Sequence, residues 1–395
     1  MIQDVLALPV WNGRGERTIR TYIKTENGLF SATAPLGKSR GKWEAVTISQ
    51  DETAAAFRDL KKAIISLDES DWQRVDTIID ELGGRNLEKT GASLAVATSM
   101  AVVKAAAHGQ PWQLLSNGKA NPLPFPIGNV AGGGAHGGST SIQEFVVIPV
   151  KAASIEEAID TNFSVWREVG KEMSKNGQCG RNDEGAWMTS KDDIETLELI
   201  SKVAERHGCL VGMDVAAGQL MRRGKYFWQS LDKEMDGGEQ MEFIRNLAET
   251  YKLAYIEDPL DAHEPELWME LSRKTKAMIV ADDLTCSQAA RVAQAAESKA
   301  ANAILIKPDQ AGTVSRALQA IAAAKKGGLP HVASHRSGDT CETFIADFAV
   351  GTGASLIKCG ISGGERTSKL NRLLEIWATI SEKGKPEMAK LRLQA

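Results

Sequence analysis

Several common features are missing or sparse in this sequence, and each gap removes a class of function. Cysteine is sparse: residues 179, 209, 286, 341 and 359 lie scattered, with no C-x-x-C or histidine spacing. That pattern points neither to a zinc site nor to a disulfide framework, and unpaired thiols suit a reducing compartment. No block of basic residues stands out, and the formal net charge is −4, which argues against a dedicated nucleic-acid or membrane surface. The most apolar stretch, 92–107, carries Ser93, Thr98, Ser99 and Lys104, so it is too short and too polar to span a bilayer. The opening M-I-Q-D-V-L-A-L-P-V-W lacks a basic region followed by a long apolar one, so no signal peptide is expected and the cytoplasm is the expected location. The glycine-rich A-G-G-G-A-H-G-G at 131–138 is not followed by Lys-Ser/Thr. No acid stands ~20 residues on after a strand, so phosphate-loop and dinucleotide motifs are also absent.

What remains is a composition ordinary for a globular protein, 43% hydrophobic and 25% charged over 395 residues. That length predicts two domains. The segment R-T-I-R-T-Y-I-K-T followed by L-F-S-A-T-A-P alternates like paired antiparallel strands around the E-N-G turn at 26–28. Helical patterns follow at 53–65, at 70–82 and from Ala92. Strands first and helices afterwards suggest a small α+β domain over 1–122. Pro122, Pro124 and Pro126 mark the boundary, and from there strand-like and helix-like segments alternate, with helices expected at 154–174 and 192–207. The fold class is α/β, with residues 123–395 expected to form a (βα)8-like barrel.

Five short apolar runs in this second region end abruptly on charge: V-G-M-D at Asp214, A-Y-I-E-D-P at Glu257 and Asp258, M-I-V-A-D-D at Asp282 and Asp283, A-I-L-I-K-P at Lys307, and H-V-A-S-H-R-S-G at His335, Arg336 and Ser337. These ends are 43, 25, 25 and 28 residues apart. A strand, turn, helix and return turn need roughly 25–40 residues, so each gap holds one βα unit. A parallel α/β barrel carries its active site at the carboxyl ends of its strands, where all these residues fall. A doubly wound sheet would instead gather polar groups at one switch point.

Asp214, Glu257 and Asp282 supply hard oxygen ligands suited to Mg²⁺, although any one of them alone could cap a helix or pair with a base. Near such a cation a partly desolvated Lys307 loses proton affinity and can serve as a base, and a structural ion pair is the other reading. Glu184, in G-R-N-D-E-G-A-W, and Glu144, after Gln143 in S-I-Q-E-F, could form an acid on the face opposite the lysine, or could be caps. His136 sits among glycines, which points to loop chemistry and not to core packing. His335, Arg336 and Ser337 make a cradle for a phosphate or carboxylate, and Lys358 in S-L-I-K-C-G adds a second cation.

Taken in order, these segments resemble the enolase family nearly end to end. The resemblance is carried by N-G-R-G-E-R-T at 12–18, A-P-L-G-K-S-R-G-K-W-E-A at 34–45, S-I-Q-E-F at 141–145, N-D-E-G at 182–185, Y-I-E-D-P at 255–259 and A-D-D-L-T at 281–285. The most specific segments are V-A-S-H-R-S-G-D-T-C-E-T-F-I-A-D-F-A-V-G at 332–351 and L-I-K-C-G at 356–360.

The resemblance implies reversible dehydration of 2-phosphoglycerate to phosphoenolpyruvate, with two Mg²⁺ per site. Asp214, Glu257 and Asp282 look like ligands of the first ion, and Ser39 like the loop serine of the second. Lys307 matches the base at C2, and Glu184 the acid for the C3 hydroxide, with Glu144 and Gln143 nearby. His136 matches the closing-loop histidine. Arg336 and Ser337, beside His335, look like phosphate binders, and Lys358 faces the substrate carboxylate. The partner is a small phosphorylated hydroxy acid, with no nucleic acid and no membrane, and a homodimer or higher homo-oligomer is expected.

The chain departs from the family at three places. L-G-K-S-R-G-K stands where a small uncharged loop is usual, so Lys38, Arg40 and Lys42 bring extra cations to the mouth. Ala131 replaces the asparagine that opens the glycine-histidine loop, and one residue is missing between His136 and Gln143. G-I-S-G-G-E-R-T at 360–367 lacks the usual Ala-Pro. These departures leave open a paralogue like the carboxyphosphonoenolpyruvate synthase of phosphonate biosynthesis, or a non-catalytic binding protein.

Overall fold

The computed structural model describes residues 1–38, 41–119, 121–176 and 179–391. Ser39 and Arg40 lie outside the described residues.

The N-terminal region opens with a three-stranded antiparallel sheet: β1 (Asp4–Trp11), β2 (Arg17–Thr25) and β3 (Gly28–Thr33). The turn expected at 26–28 joins β2 to β3, with Thr25 opposite Gly28. Strand β1 has no counterpart in the sequence reading. It is an edge strand, which is where Pro9 can sit without costing the sheet a ladder hydrogen bond. Helices Gln50–Ile64 and Trp72–Gly83 follow, the first started by a capping box between Ser49 and Glu52. Helix Ala92–Ala106 is buried on nearly all sides and packs on β2 and β3, as an all-round apolar helix must. Its polar residues are tied in: Thr98 Oγ1 lies 3.3 Å from Thr21 Oγ1, Ser99 Oγ accepts the Val314 amide at 2.9 Å, and Lys104 pairs with Glu342.

The rest of the chain forms a closed eight-stranded barrel. In chain order its strands are β4 (Phe125–Ala131), β5 (Glu144–Ile148) and β6 (Leu210–Asp214), then β10 (Tyr255–Glu257), β11 (Met278–Ala281), β12 (Ala303–Ile306), β13 (His331–Ser334) and β14 (Leu356–Lys358). Between β6 and β10 a small antiparallel sheet intervenes, β7 (Met221–Arg222), β8 (Lys225–Trp228) and β9 (Lys233–Met235), which explains the long gap there. Around the ring the order is β10, β11, β12, β13, β14, β4, β5, β6. The barrel is not wholly parallel, because β5 runs antiparallel to both β4 and β6. That inversion puts the start of β5, and with it Glu144, at the rim where the other strands end. Phe125, Ile127, Val146, Tyr255, Val280, Leu305, Val332 and Leu356 fill the interior below the rim, which makes it a packed core.

Two outer helices start where expected. Ser154 caps Ile155–Met173, and Asp192 with Glu195 makes a capping box for Asp193–Arg206. The N-terminal region lies against the barrel mouth through paired backbone bonds between Leu36 and Gly338 and a Gly13 amide bond to the Asp339 carbonyl, each 2.8 Å. No helix among the described residues is long and apolar enough to cross a membrane.

Candidate active site at the barrel mouth

Strand register assembles the acidic half of the site. Glu144 on β5 pairs across with Asp214 on β6, which pairs with Glu257 on β10, so three carboxylates stand side by side in one layer. Inward-facing positions alternate, so Tyr255 lies beneath Glu257 and donates its hydroxyl to Glu257 Oε2 at 2.5 Å. Across the barrel Lys358 ends β14. Its Nζ lies 2.9 Å from Asp214 Oδ2, 2.8 Å from Glu257 Oε2 and 3.2 Å from Glu144 Oε1. Asp282, just past β11, pairs with Lys307 and accepts from Gln310 Nε2 at 2.9 Å. Gln143 Nε2 donates to Asp214 Oδ2 at 3.2 Å.

Loops and the N-terminal region build the other half. Asn182 accepts the amides of Glu184 and Ala186, both at 3.0 Å, and shapes the 182–185 loop. Gly185 in that loop has φ +80°, and a Cβ there would meet the Ser362 carbonyl at 2.1 Å, so only glycine fits. Glu184 accepts from Asn129 Nδ2 at 3.1 Å and lies 3.7 Å from His136 Nε2. Asp183 Oδ1 holds His136 Nδ1 at 2.7 Å, while its Oδ2 is 3.4 Å from Lys38 Nζ and 3.8 Å from Arg14 Nε. Arg14 donates to Ser337 Oγ at 2.8 Å, and the Lys38 amide does so at 3.1 Å. Arg336 is clamped by Asp309 at 2.5 Å and by Glu44 at 3.0 and 3.1 Å.

Burial and charge set distinct protonation states. Burial pushes Glu144 well above the ordinary carboxylate range, and Glu184, Asp214 and Glu257 add to the shift. Its Oε2 is buried without a hydrogen-bond partner among the described residues. Burial would raise Glu184 too, but His136, with Arg366 and Lys358, reverses the effect and holds it ionised. Two carboxyls in one cleft, one protonated and one charged, is an acid–base pattern. Burial and Asp214 push Glu257 up to about 7 against the pull of Lys358. Burial would lower Lys307, yet Asp282 raises it above the usual lysine range. The ion-pair reading of Lys307 therefore describes this state of the protein, in which its amine is protonated.

Each candidate site residue among the described residues is near this cleft. Gln143, Glu144, Glu184, His136, Asp214, Asp282, Lys307, His335, Arg336, Ser337 and Lys358 line it, joined by Lys38. Glu257 borders it through Lys358. His136 stands in the glycine-rich loop, and its ring is buried between the carboxylates of Asp183 and Glu184. Lys42 is exposed, 5.8 Å above the Trp43 ring, and does not line the cleft.

The sequence reading passed over Arg14, Glu44, Asp183, Asp309 and Arg366. All but Asp309 stand inside segments quoted above, but nothing in a segment shows that Glu44 meets Arg336 across most of the chain's length.

The donor set fits a hard divalent cation. Buried carboxylates outnumber the two lysines that balance them, and oxygen donors suit Mg²⁺. Among the described residues, Asp258 with Asp282 and Asp283, and His136 with Glu144 and Glu184, each bring ligating atoms within 4.8 Å of one another. Asp214 and Glu257 are instead drawn onto the Lys358 ammonium.

A closed barrel with an inverted second strand and a rim of facing carboxylates and lysines is the architecture of an acid–base enzyme, and its acidic groups could hold a cation. The description "Enolase, N-terminal domain" matches residues 2–116, and "Enolase, C-terminal TIM barrel domain" matches 120–393. Among similar curated proteins, the enolase of Archaeoglobus fulgidus is 38% identical, the alignment covering 95% of this chain and 97% of that one. The enolase of Pyrobaculum aerophilum is 37% identical over 96% and 99% of the two chains. That of Natronomonas pharaonis is 39% identical, also over 96% and 99%. The chain belongs to the enolase family.

Proposed function

We propose that the protein is a phosphopyruvate hydratase, a Mg²⁺-dependent hydro-lyase that reversibly dehydrates 2-phosphoglycerate to phosphoenolpyruvate. One observation carries the reading. Lys307 follows β12 and Glu144 opens β5, four places apart in a ring of eight, so base and acid face each other across the mouth. Removal of a C2 proton and loss of the C3 hydroxide from the other side of the substrate need that opposition.

Asp214, Glu257 and Asp282 would hold one Mg²⁺, and Ser39 with the substrate a second. Bound Mg²⁺ supplies positive charge beside the substrate carboxylate, where proton removal places further negative charge. Lys358 adds its ammonium to the same task. Lys307 acts as base once Asp282 no longer holds its proton. Glu144 and Glu184 share one proton as a coupled pair and deliver it to the departing oxygen. Arg336 and Ser337 receive the phosphate, with His335 and Gln143 beside them, and His136 closes over it.

The 1–122 region caps a catalytic 123–395 region. Leu6, Leu8 and Trp11 on β1 are 48%, 39% and 61% exposed. That apolar edge supports a homodimer through the smaller region, which sedimentation would test.

The test of activity is incubation with 2-phosphoglycerate and Mg²⁺ while following the enol absorbance. Turnover that disappears in Lys307→Ala is expected. No product at high enzyme concentration, beside a competent control, overturns the substrate; full activity in the variant overturns the base.

A further inference from the structure

The helix Gly364–Ser381 places a fully buried arginine directly beneath the His335–Ser337 segment. Arg366 Nη1 lies 2.6 Å from His335 Nδ1 and 2.8 Å from the Arg336 carbonyl, and Nη2 lies 2.5 Å from the Ser337 carbonyl. A guanidinium has five N–H donors and no acceptor. His335 Nδ1 must therefore accept, and the ring proton must sit on Nε2. Protonating both nitrogens would set N–H against N–H inside a buried contact.

The groups around the ring agree with this. Arg366 and Lys369 face it from the C-terminal helix and Lys358 from β14, against Glu184 from the 182–185 loop, which favours an imidazolium; Asp309, Asp339 and Glu342 share the lining of a neighbouring cavity with it. Burial first, then Arg366, hold its proton affinity well below that of a free histidine. His335 lines the cleft with Glu184 and Lys358, and among the described residues no protein group pairs with its Nε2.

We propose that Arg366 is a positioning residue that locks His335 as the neutral, Nε2-protonated tautomer and thereby makes it a fixed hydrogen-bond donor to a substrate oxygen in the cleft. By anchoring the carbonyls of Arg336 and Ser337, the same guanidinium also sets the path of the two residues assigned to the phosphate. The identity of the substrate rests on the hydratase reading; the tautomer does not.

The chain has six histidines, so ¹H–¹⁵N correlation spectra of the full-length protein labelled at histidine can resolve each ring, with His335 assigned by its loss in His335→Gln. In the wild type the ring is expected to stay neutral and Nε2-protonated from about pH 5 to 8. Arg366→Lys keeps a donor-only partner and should keep that tautomer, with kcat/KM within about tenfold of wild type. Arg366→Gln offers a carbonyl oxygen that can accept from Nδ1, so the Nδ1–H form should appear. Its pH–rate profile should gain an ionisation near the ordinary histidine value of about 6.5.

A wild-type ring that is imidazolium or Nδ1-protonated at neutral pH overturns the proposal, whether or not any Arg366 variant folds. An Arg366→Gln variant that loses activity yet retains the Nε2–H spectrum also overturns it, since the arginine would then serve only packing. Absence of wild-type turnover with 2-phosphoglycerate would sink the hydratase reading and leave the spectra to decide the tautomer.

Discussion

On one arc of the barrel mouth Glu144, Asp214 and Glu257 stand on adjacent strands in one hydrogen-bonded register, and Lys358 reaches them from the far wall. On the other, Arg14, Lys38, His136 and Asp183 arrive on loops from distant parts of the chain and meet through side chains alone. The first group is placed by the same backbone bonds that close the barrel, so its geometry is as rigid as the fold. The second is placed by ion pairs around a partly exposed carboxylate, Asp183, which is 21% accessible. Charges that must stay fixed during proton transfer belong on the first kind of support. Groups that must admit and release a substrate belong on the second.

Glu184 tests where the line between these arcs falls, because it is loop-borne yet coupled to strand-borne Glu144. As half of the acid pair, Glu184→Gln should lower kcat by about 10²–10⁴-fold with a smaller change in KM. If KM rose alone, the loop arc would serve binding only, and Glu144 would carry the acid role.

The two arcs should also differ in stability. Lys358 contacts three buried carboxyl groups, and Lys358→Met would leave Asp214 and Glu257 without their cation at a cost of roughly 3–5 kcal/mol in Mg²⁺-free denaturant unfolding. Asp183→Asn weakens partly exposed pairs and should cost about 0–1 kcal/mol. Equal losses would erase the distinction.

The difference in support also decided what the sequence could reveal. Strand ends were legible because a short buried strand that stops on a charge has few other readings, and the spacing of one βα unit confirmed the next. Glu144 was visible as the start of an apolar run, although the inversion of β5 was not, since alternation of strand and helix says nothing about strand direction. The Glu44–Arg336 clamp and the Arg366 anchor were illegible for a different reason. Each joins residues whose separation in sequence is set by the whole fold, and no local period marks them. Strand β1 was missed because Pro9 and its exposed leucines blur the alternation that identifies an edge strand.

Glu44 gives a prediction of intermediate size. Its carboxylate fixes the Arg336 fork from the N-terminal region, so Glu44→Gln should raise KM about tenfold, near 1.4 kcal/mol, with kcat little changed. A fall in kcat alone would mean that Arg336 acts on the reacting atoms more than on the phosphate.

The smallest effect separates the arcs by pH. Burial alone would lower the proton affinity of His136, but Glu184 and the hydrogen-bonded Asp183 more than offset it, so the folded ring holds its proton above the ordinary histidine value. A folded pKa above the unfolded one contributes stability that is complete below about pH 6.5 and is lost as pH rises through the folded value. The loss should be local, because the His136–Asp183 pair ties one loop to another and leaves the strands untouched. Native-state amide exchange, corrected for intrinsic base catalysis, should show protection at Gly134 and His136, whose amides bond within the loop, falling by up to about fivefold above neutral pH. Val146 and Met213, inside the barrel ladder, should hold their protection over the same range, and His136→Gln should flatten the loop response. A parallel loss in the strands would show that the loop arc and the strand arc open together, and the division between them would not stand.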